Sequence, residues 1–403
     1  MVLSKENRGT TFLILATITC YFLFAYNLER TQFSKLLVLY SGLFLSFFFL
    51  IKKHKENLQL LTGLSVLFRL IFLFSVPNLS QDFYRFIWDG RMLFEGMNPY
   101  LSLPETFIQQ RVFPINEAVE LYTGMGELNG SHYTNYPPIN QFCFFIAALV
   151  ANKSIIGSVI AMRLTIILAD VGILYFGKKL LKKLNLSAHH IFWYALNPFI
   201  IIELTGNLHF EPVMLFFLIW GLYLLYQQKW IWSAILIACS ISVKLIPLLF
   251  LPLFYQWFAN RSKKPWLPNF SGMTRLITFY AIVFITTILL FLPFYSSTLI
   301  DNYMNSVGLW FRNFEFNASI YYIFREIGYL FRGYNEIAII GKLMPILTVI
   351  FLGILTFFRK NKSMKELIPA LLFGLSFYYF TTTTFHPWYL ATLIILSVFT
   401  KYR

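Results

Sequence analysis

NLSQDFYRFIWDGRMLFEGMNPY, residues 78–100, follows an apolar run that ends near Val76 and is the first place where acids, bases and aromatics gather. Asn78 or Ser80 can cap a helix start, and Gln81, three residues after Asn78, completes a weak capping-box pattern. Gly96 offers a left-handed residue and Pro99 then lacks a donor, so the helix should end there. Between these stops Asp82, Arg85 and Asp89 fall at i, i+3 and i+7 and share one face, while Phe83, Ile87 and Phe94 lie towards another. The spacing predicts a short amphipathic helix lying on a membrane surface, with a carboxylate in its first turn. Charge trios of this kind are usually solvated ion-pair ladders. Two facts weigh against that here. The chain has 18 acids in 403 residues, yet Asp82, Asp89 and Glu95 fall within 14 positions. The helix also follows a membrane span directly, where charge is costly and usually kept for function.

Composition sets the setting of that helix. The chain is 58% hydrophobic, 20% aromatic and only 13% charged, far from globular values, and predicts an all-α polytopic membrane protein. A net charge of +15 could suggest nucleic acid, but the bases cluster in short loops between apolar runs. Lys52, Lys53 and Lys55 form one such cluster, and Lys178, Lys179, Lys182 and Lys183 another; Arg261, Lys263 and Lys264, then Arg359, Lys360, Lys362 and Lys365, complete the set. That is the positive-inside pattern. Cys20, Cys143 and Cys239 lie in apolar segments and read as small hydrophobes, not as a disulfide framework. The first apolar run lacks a cleavable-signal pattern and is expected to remain as a span.

Spans begin near Thr10, Lys35 and Leu58, and the basic clusters place the N-terminus and the second loop inside. The third span therefore delivers residues 78–100 to the outside. Residues 101–135 read as the rest of a large external loop. Tyr136, Pro137 and Pro138 open an apolar run of about 14 residues, too short to cross and expected as a juxtamembrane helix. Beyond it, the signs of the loops are satisfied by crossings at 155–176, 190–204, 212–226, 230–243, 245–258, 275–293, 337–358, 367–380 and 386–400. The expectation is about twelve helices (11–13), both ends inside. Residues 1–57 would form two N-terminal membrane helices, and residues 58–403 the transmembrane core with external loops at 77–136 and 294–335.

On this topology the unusual polar residues share the external side: Asp82, Arg85, Asp89, Arg91 and Glu95, then His209 and Glu211 in the turn GNLHFE. Lys244 stands at its bend, Arg312 and Glu315 lie in the second external loop, and His386 opens HPWYL. A lone histidine is ordinarily an interfacial residue, a lone lysine ordinarily snorkels, and Trp and Tyr ordinarily form a belt. Five segments on one side make a stronger case than any one of them. A cation such as Lys244 suits a lipid phosphate, and a carboxylate such as Asp82 suits proton removal from a hydroxyl. Aromatic walls such as Trp88, Trp310, Trp388 and Tyr389 suit the apolar faces of sugar rings or a polyprenyl chain. No Gly-rich phosphate loop, paired-Cys metal site or Gly-x-Ser-x-Gly turn occurs, which argues against nucleotide-driven or serine-hydrolase chemistry.

The pieces SQDFYRFIWDGRMLFEGMNPY, YPPINQ, LNPFIIIELTGNLHFE, SISVKLIPLLFLP, FNASIYY and HPWYL occur in that order over most of the chain. In this respect the sequence resembles the GT-C superfamily of integral-membrane glycosyltransferases. It is most similar to the bacterial polyprenyl-phosphate-mannose-dependent mannosyltransferases and glycosyltransferase family 87. The resemblance implies a GT-C-like fold in the bacterial cytoplasmic membrane and a role in the cell envelope. It implies transfer of a hexose, in the first instance mannose, from a polyprenyl-phosphate donor to an extracytoplasmic glycan or lipid acceptor. The reaction would invert the sugar carbon, with Asp82 as general base. Arg85, Asp89, Arg91, Tyr136, His209, Glu211, Lys244, Arg312, His386 and Trp388 are then expected to bind substrate. A single Asp stands where an Asp-x-Asp pair would hold a divalent metal, so no metal ligand is assigned and no cofactor is read from the sequence. A transporter or flippase of lipid-linked sugars is the alternative; it should place its charges near the midplane and often shows repeated halves, whereas here most of the acids lie in external loops and the halves do not match.

Overall fold

The computed structural model describes residues 5–259, 270–309 and 314–402. It is built of helices, and among the described residues the only β pairing is an isolated bridge between Phe316 and Thr384. The chain divides into two compact units. The first holds residues 1–99, 103–132 and 140–216; the second holds residues 100–102, 133–139 and 217–403.

The first unit begins with α1 (Lys5–Asn27), α2 (Phe33–Lys53) and α3 (Leu58–Leu70). Lys52 and Lys53 in the last turn of α2 complement its carbonyl end. These N-terminal helices are packed into the unit. Tyr21 of α1 meets Phe68 and Phe72, Phe47 of α2 meets Trp193, and Tyr40 donates to Glu203 at 3.4 Å. The helix at the centre of the sequence argument, α4, spans Asp82–Phe94. Gly96 after it takes φ +75°, and Met97 N–H reaches back to the Met92 carbonyl at 2.8 Å, closing the helix as its sequence foretells. Its start differs from expectation. Asn78 is not a cap: its amide donates to the carbonyls of Phe24 and Leu28, and the Ser80 hydroxyl accepts from Asp82 N–H at 3.3 Å.

The expected loop at 101–135 contains two helices, α5 (Pro104–Gln109) and α6 (Ala118–Gly130). Three glycines, one of them Gly126 at φ +76°, hide α6 from periodicity. Tyr84 lies over Gly124, where a Cβ would clash with its ring. The juxtamembrane run forms α7 (Pro138–Ala151), about 21 Å long and short of a ~30 Å hydrocarbon core. The long helix α8 (Ile155–Lys183) is capped by Ser154, whose hydroxyl accepts from Gly157 N–H. It carries Arg163 and Asp170 in its interior.

The crossing expected at 190–204 is broken into α9 (Phe192–Ala195), α10 (Pro198–Ile200) and a π-helical turn, Ile201–Gly206. Pro198 cannot continue the preceding helix, and Asn197 caps the new start. The chain then bends by 115° into α11 (Glu211–Tyr226), with Leu208 at φ +61°.

The second unit contains α12 (Trp230–Ile241), a 3₁₀ stretch Ile246–Phe254, α13 (Tyr255–Ala259) and α14 (Phe270–Phe291). Pro247 and Pro252 each withhold a donor, which keeps the expected span at 245–258 from becoming a regular α-helix. It continues through α15 (Leu299–Gly308), α16 (Ile320–Arg332), α17 (Ile337–Phe357), α18 (Met364–Thr381) and α19 (Leu390–Val398). Among the described residues, five helices are long and apolar enough to cross a membrane, or six if the bent pair at 198–226 counts as one span. Five further apolar helices have only 10–17 residues, and the expected dozen crossings includes such pieces. The chain is an all-helical polytopic membrane protein.

Candidate functional site

In the first unit, α4 is not the surface-lying helix its spacing suggests. Most of it is buried: Phe83, Phe86 and Ile87 on the apolar side, Arg85 and Asp89 on the polar side, and Trp88 and Arg91 on the flank between them. The polar face has found partners instead of solvent. Arg85 Nε donates to Asp89 Oδ1 at 2.8 Å, and its Nη1 donates to the carbonyls of Asn129 and His132 at 2.5 and 2.9 Å. Gln141 donates to the second Asp89 oxygen at 2.9 Å. Asp89 is fully buried, with both oxygens engaged. Arg91 pairs with Glu117 at 2.7 Å and donates to the Asn116 carbonyl. Gly90 permits the close approach of α4 to α7, because a Cβ there would run into the Phe144 carbonyl.

Asp82 lies at the edge of this network and is linked to it through Asn129. It lies half-buried in the first turn of α4, where exposed backbone N–H groups favour an ionised carboxylate. Asn129 donates to its Oδ1 at 3.4 Å. Glu95, at the other end of the helix, is exposed.

The turn carrying His209 and Glu211 packs beside this helix in the same unit. Phe86, Phe144 and Phe210 form an aromatic triad with ring centroids 4.7–5.7 Å apart. Leu79 N–H donates to Asn207 Oδ1 at 3.2 Å. His209 and Glu211 are both about 1% exposed, so they are interior groups and not an interfacial pair. Two charge centres that spacing did not single out support the unit from inside. Arg69 pairs with Asp170 at 2.7 Å, with Tyr194 donating to the same carboxylate. Arg163, wholly buried, donates to four backbone carbonyls. Their signal was present, as single charges inside apolar runs.

In the second unit the expected residues form an aromatic cluster around one cation. Lys244, half-buried, sits 5.9 Å from the Tyr389 ring centroid. His386 stacks on Trp388 at 4.6 Å and on Phe316 at 5.0 Å, and meets Tyr389 edge-on. Burial first, and then the Lys244 ammonium, push the His386 imidazole down to about 4, so it is neutral near pH 7. The loop holding it is pinned to FNAS by the Phe316 N–H donation to Thr383 and the Phe385 N–H donation to Phe316. Ile139 N–H donates to the Ser242 carbonyl at 2.9 Å, bringing the YPP segment to the bend at Lys244. Tyr136 itself is held through its carbonyl, which accepts from Tyr100 at 2.6 Å. Thus YPP, VKLIP, FNAS and HPWY, separated along the chain, are neighbours here.

Glu315 is tied to Tyr321, Arg325 and Asn335. Burial would raise its carboxyl, but these hydrogen bonds outweigh it and hold the group below the usual range. Trp310 and Arg312 lie outside the described residues. Among the described residues no three His, Cys, Asp or Glu side chains gather as a metal site would require.

These features define an integral-membrane protein with an acid at the head of a packed loop helix and a cation in an aromatic cluster. A family model described as alpha-(1->6)-mannopyranosyltransferase, N-terminal domain, matches residues 18–260, and the chain belongs to that family. It is 26% identical over 185 residues to alpha-(1->6)-mannopyranosyltransferase B of Corynebacterium glutamicum, covering 42% of this chain and 30% of that relative. It is 25% identical over 199 residues to alpha-(1->6)-mannopyranosyltransferase A of Mycobacterium tuberculosis, covering 49% of this chain and 37% of the relative. The chain thus spans about a third of the length of these curated relatives. Asp82, Lys244 and the turn with His209 and Glu211 all fall within residues 18–260.

Proposed function

We propose that the chain is a membrane glycosyltransferase that moves mannose from a polyprenyl-phosphate donor to an extracytoplasmic glycan or lipid acceptor, inverting the sugar carbon. The observation that carries this reading is the family match over residues 18–260, which includes both Asp82 and Lys244. In the reaction, an acceptor hydroxyl attacks the anomeric carbon while Asp82 takes its proton. The bond from that carbon to the phosphate oxygen breaks, and the electron pair leaves with the lipid phosphate. Lys244 offsets the charge that develops there, and neutral His386 leaves the ammonium as the cationic partner. Trp388 and Tyr389 offer apolar faces for the sugar ring. Arg85, Asp89 and Arg91, engaged with protein groups, support the helix that presents Asp82.

The catalytic groups are assigned to the outer side of the cytoplasmic membrane, with the basic loops and both termini inside. A cysteine placed near Asn129 should then react with an impermeant thiol reagent and one near Lys182 should not; labelling near Lys182 contradicts this orientation. For activity, membranes containing the protein are offered radiolabelled mannose on a polyprenyl phosphate or on a nucleotide. Label should pass to a membrane acceptor from the lipid-linked donor. Transfer from the nucleotide sugar alone, or none from any lipid-linked mannose, contradicts the proposal.

A further inference from the structure

Among the described residues the Arg163 guanidinium has no carboxylate partner and is given over to backbone carbonyls. Nε donates to Thr205 and Nη2 to Gly206, both at 2.9 Å, at the end of the π-helical turn. Nη1 donates to Leu73 at 3.0 Å and Ser75 at 2.7 Å, in the turns that follow α3. Thr205 and Gly206 end the π-helical turn, where carbonyls lack intrahelical donors, and Leu73 and Ser75 lie in irregular backbone beyond α3, so the planar fork reaches both segments at once. The first end leads within three residues to His209, and the second within seven to Asp82. Leu79 and Asn207 then join the two segments directly. Between them Leu208 holds a left-handed conformation that a non-glycine residue keeps only when its surroundings dictate it.

We infer that Arg163 is a positioning residue, fixing the lead-in to Asp82 and the His209–Glu211 turn in one register. The inference rests on the proposed role of Asp82. A cation buried within a membrane-embedded helix is costly and ordinarily retained for function, which fits a clamp better than a filler.

Arg163→Lys keeps the charge but offers its donors from one nitrogen, so it cannot serve both carbonyl pairs. Turnover per folded enzyme should fall roughly 10- to 100-fold, with the donor KM within about threefold of wild type. Amide hydrogen exchange should rise in residues 73–82 and 201–211 and stay unchanged in α12. Asn207→Ala leaves Arg163 in place and should loosen the same two segments with a smaller loss of turnover. Exchange that rises evenly along the chain, or does not rise in those segments, overturns the clamp. So does full turnover with both segments loosened. A wild-type protein without mannosyl transfer counts against the proposed function, and the exchange pattern still decides the clamp.

Discussion

The charges around α4 and the charge at Lys244 are held by different physics. In the first unit Arg85 and Asp89 are shut away from water, and every contact named for them is a short directional hydrogen bond. Such a knot is rigid, and its members are costly to disturb. In the second unit Lys244 is half-buried among aromatic rings, where attraction is broad and weakly directional. On the proposed function, the contrast separates charges that build a site from charges that serve it: Asp89 is assigned to the first kind, Lys244 and Asp82 to the second.

Breaking the knot should give the largest effect. Asp89→Ala leaves Arg85 buried without its counter-ion, at a cost of about 3–5 kcal/mol, and should lower the thermal midpoint measured in detergent. A midpoint equal to wild type would show that the knot is not structural. Lys244→Met should leave stability near wild type and raise the apparent donor requirement, through loss of a charge-assisted bond worth about 1.5–3 kcal/mol. Unchanged donor dependence would reassign Lys244 to the aromatic cluster alone. The smallest effect concerns pH. The His386 imidazole titrates at about 4 in the folded protein, against an ordinary value near 6.5 when unfolded. The unfolded chain therefore binds a proton first, and stability should fall as pH drops from about 6.5 to 4. His386→Gln should remove part of that fall, and identical pH profiles of thermal stability would contradict the assignment.

What could be read from the sequence was local. The i, i+4 pairing of Arg85 with Asp89 and the stop at Gly96 follow from helix spacing and glycine chemistry, and both are present. The expectation of a surface-lying helix failed because periodicity reports that a face is polar, not what covers it. Asn129, His132 and Gln141 cover it, from elements more than 40 residues away. Helix α6 escaped notice because its glycines weaken the pattern while Tyr84 fills the space above Gly124. Arg69 with Asp170, and Arg163 with its four carbonyls, join segments far apart in sequence, and only their isolation within apolar runs marked them. The Lys244 cluster was more legible: YPP, VKLIP, FNAS and HPWY stand out as separate pieces of sequence, hydrogen bonds join the first two and the last two, and the Lys244–Tyr389 contact links the pairs.

The central claim is that Asp82 is the base. It is most directly tested by mannosyl transfer from a polyprenyl-phosphate donor at saturating donor, using purified wild-type and Asp82→Asn proteins with thermal stability measured alongside. The amide is nearly isosteric with the carboxylate but cannot take the proton. Asp82→Asn should fold with an unchanged thermal midpoint and lose roughly 10²–10⁴-fold in turnover. Turnover near wild type in the well-folded variant would contradict the account.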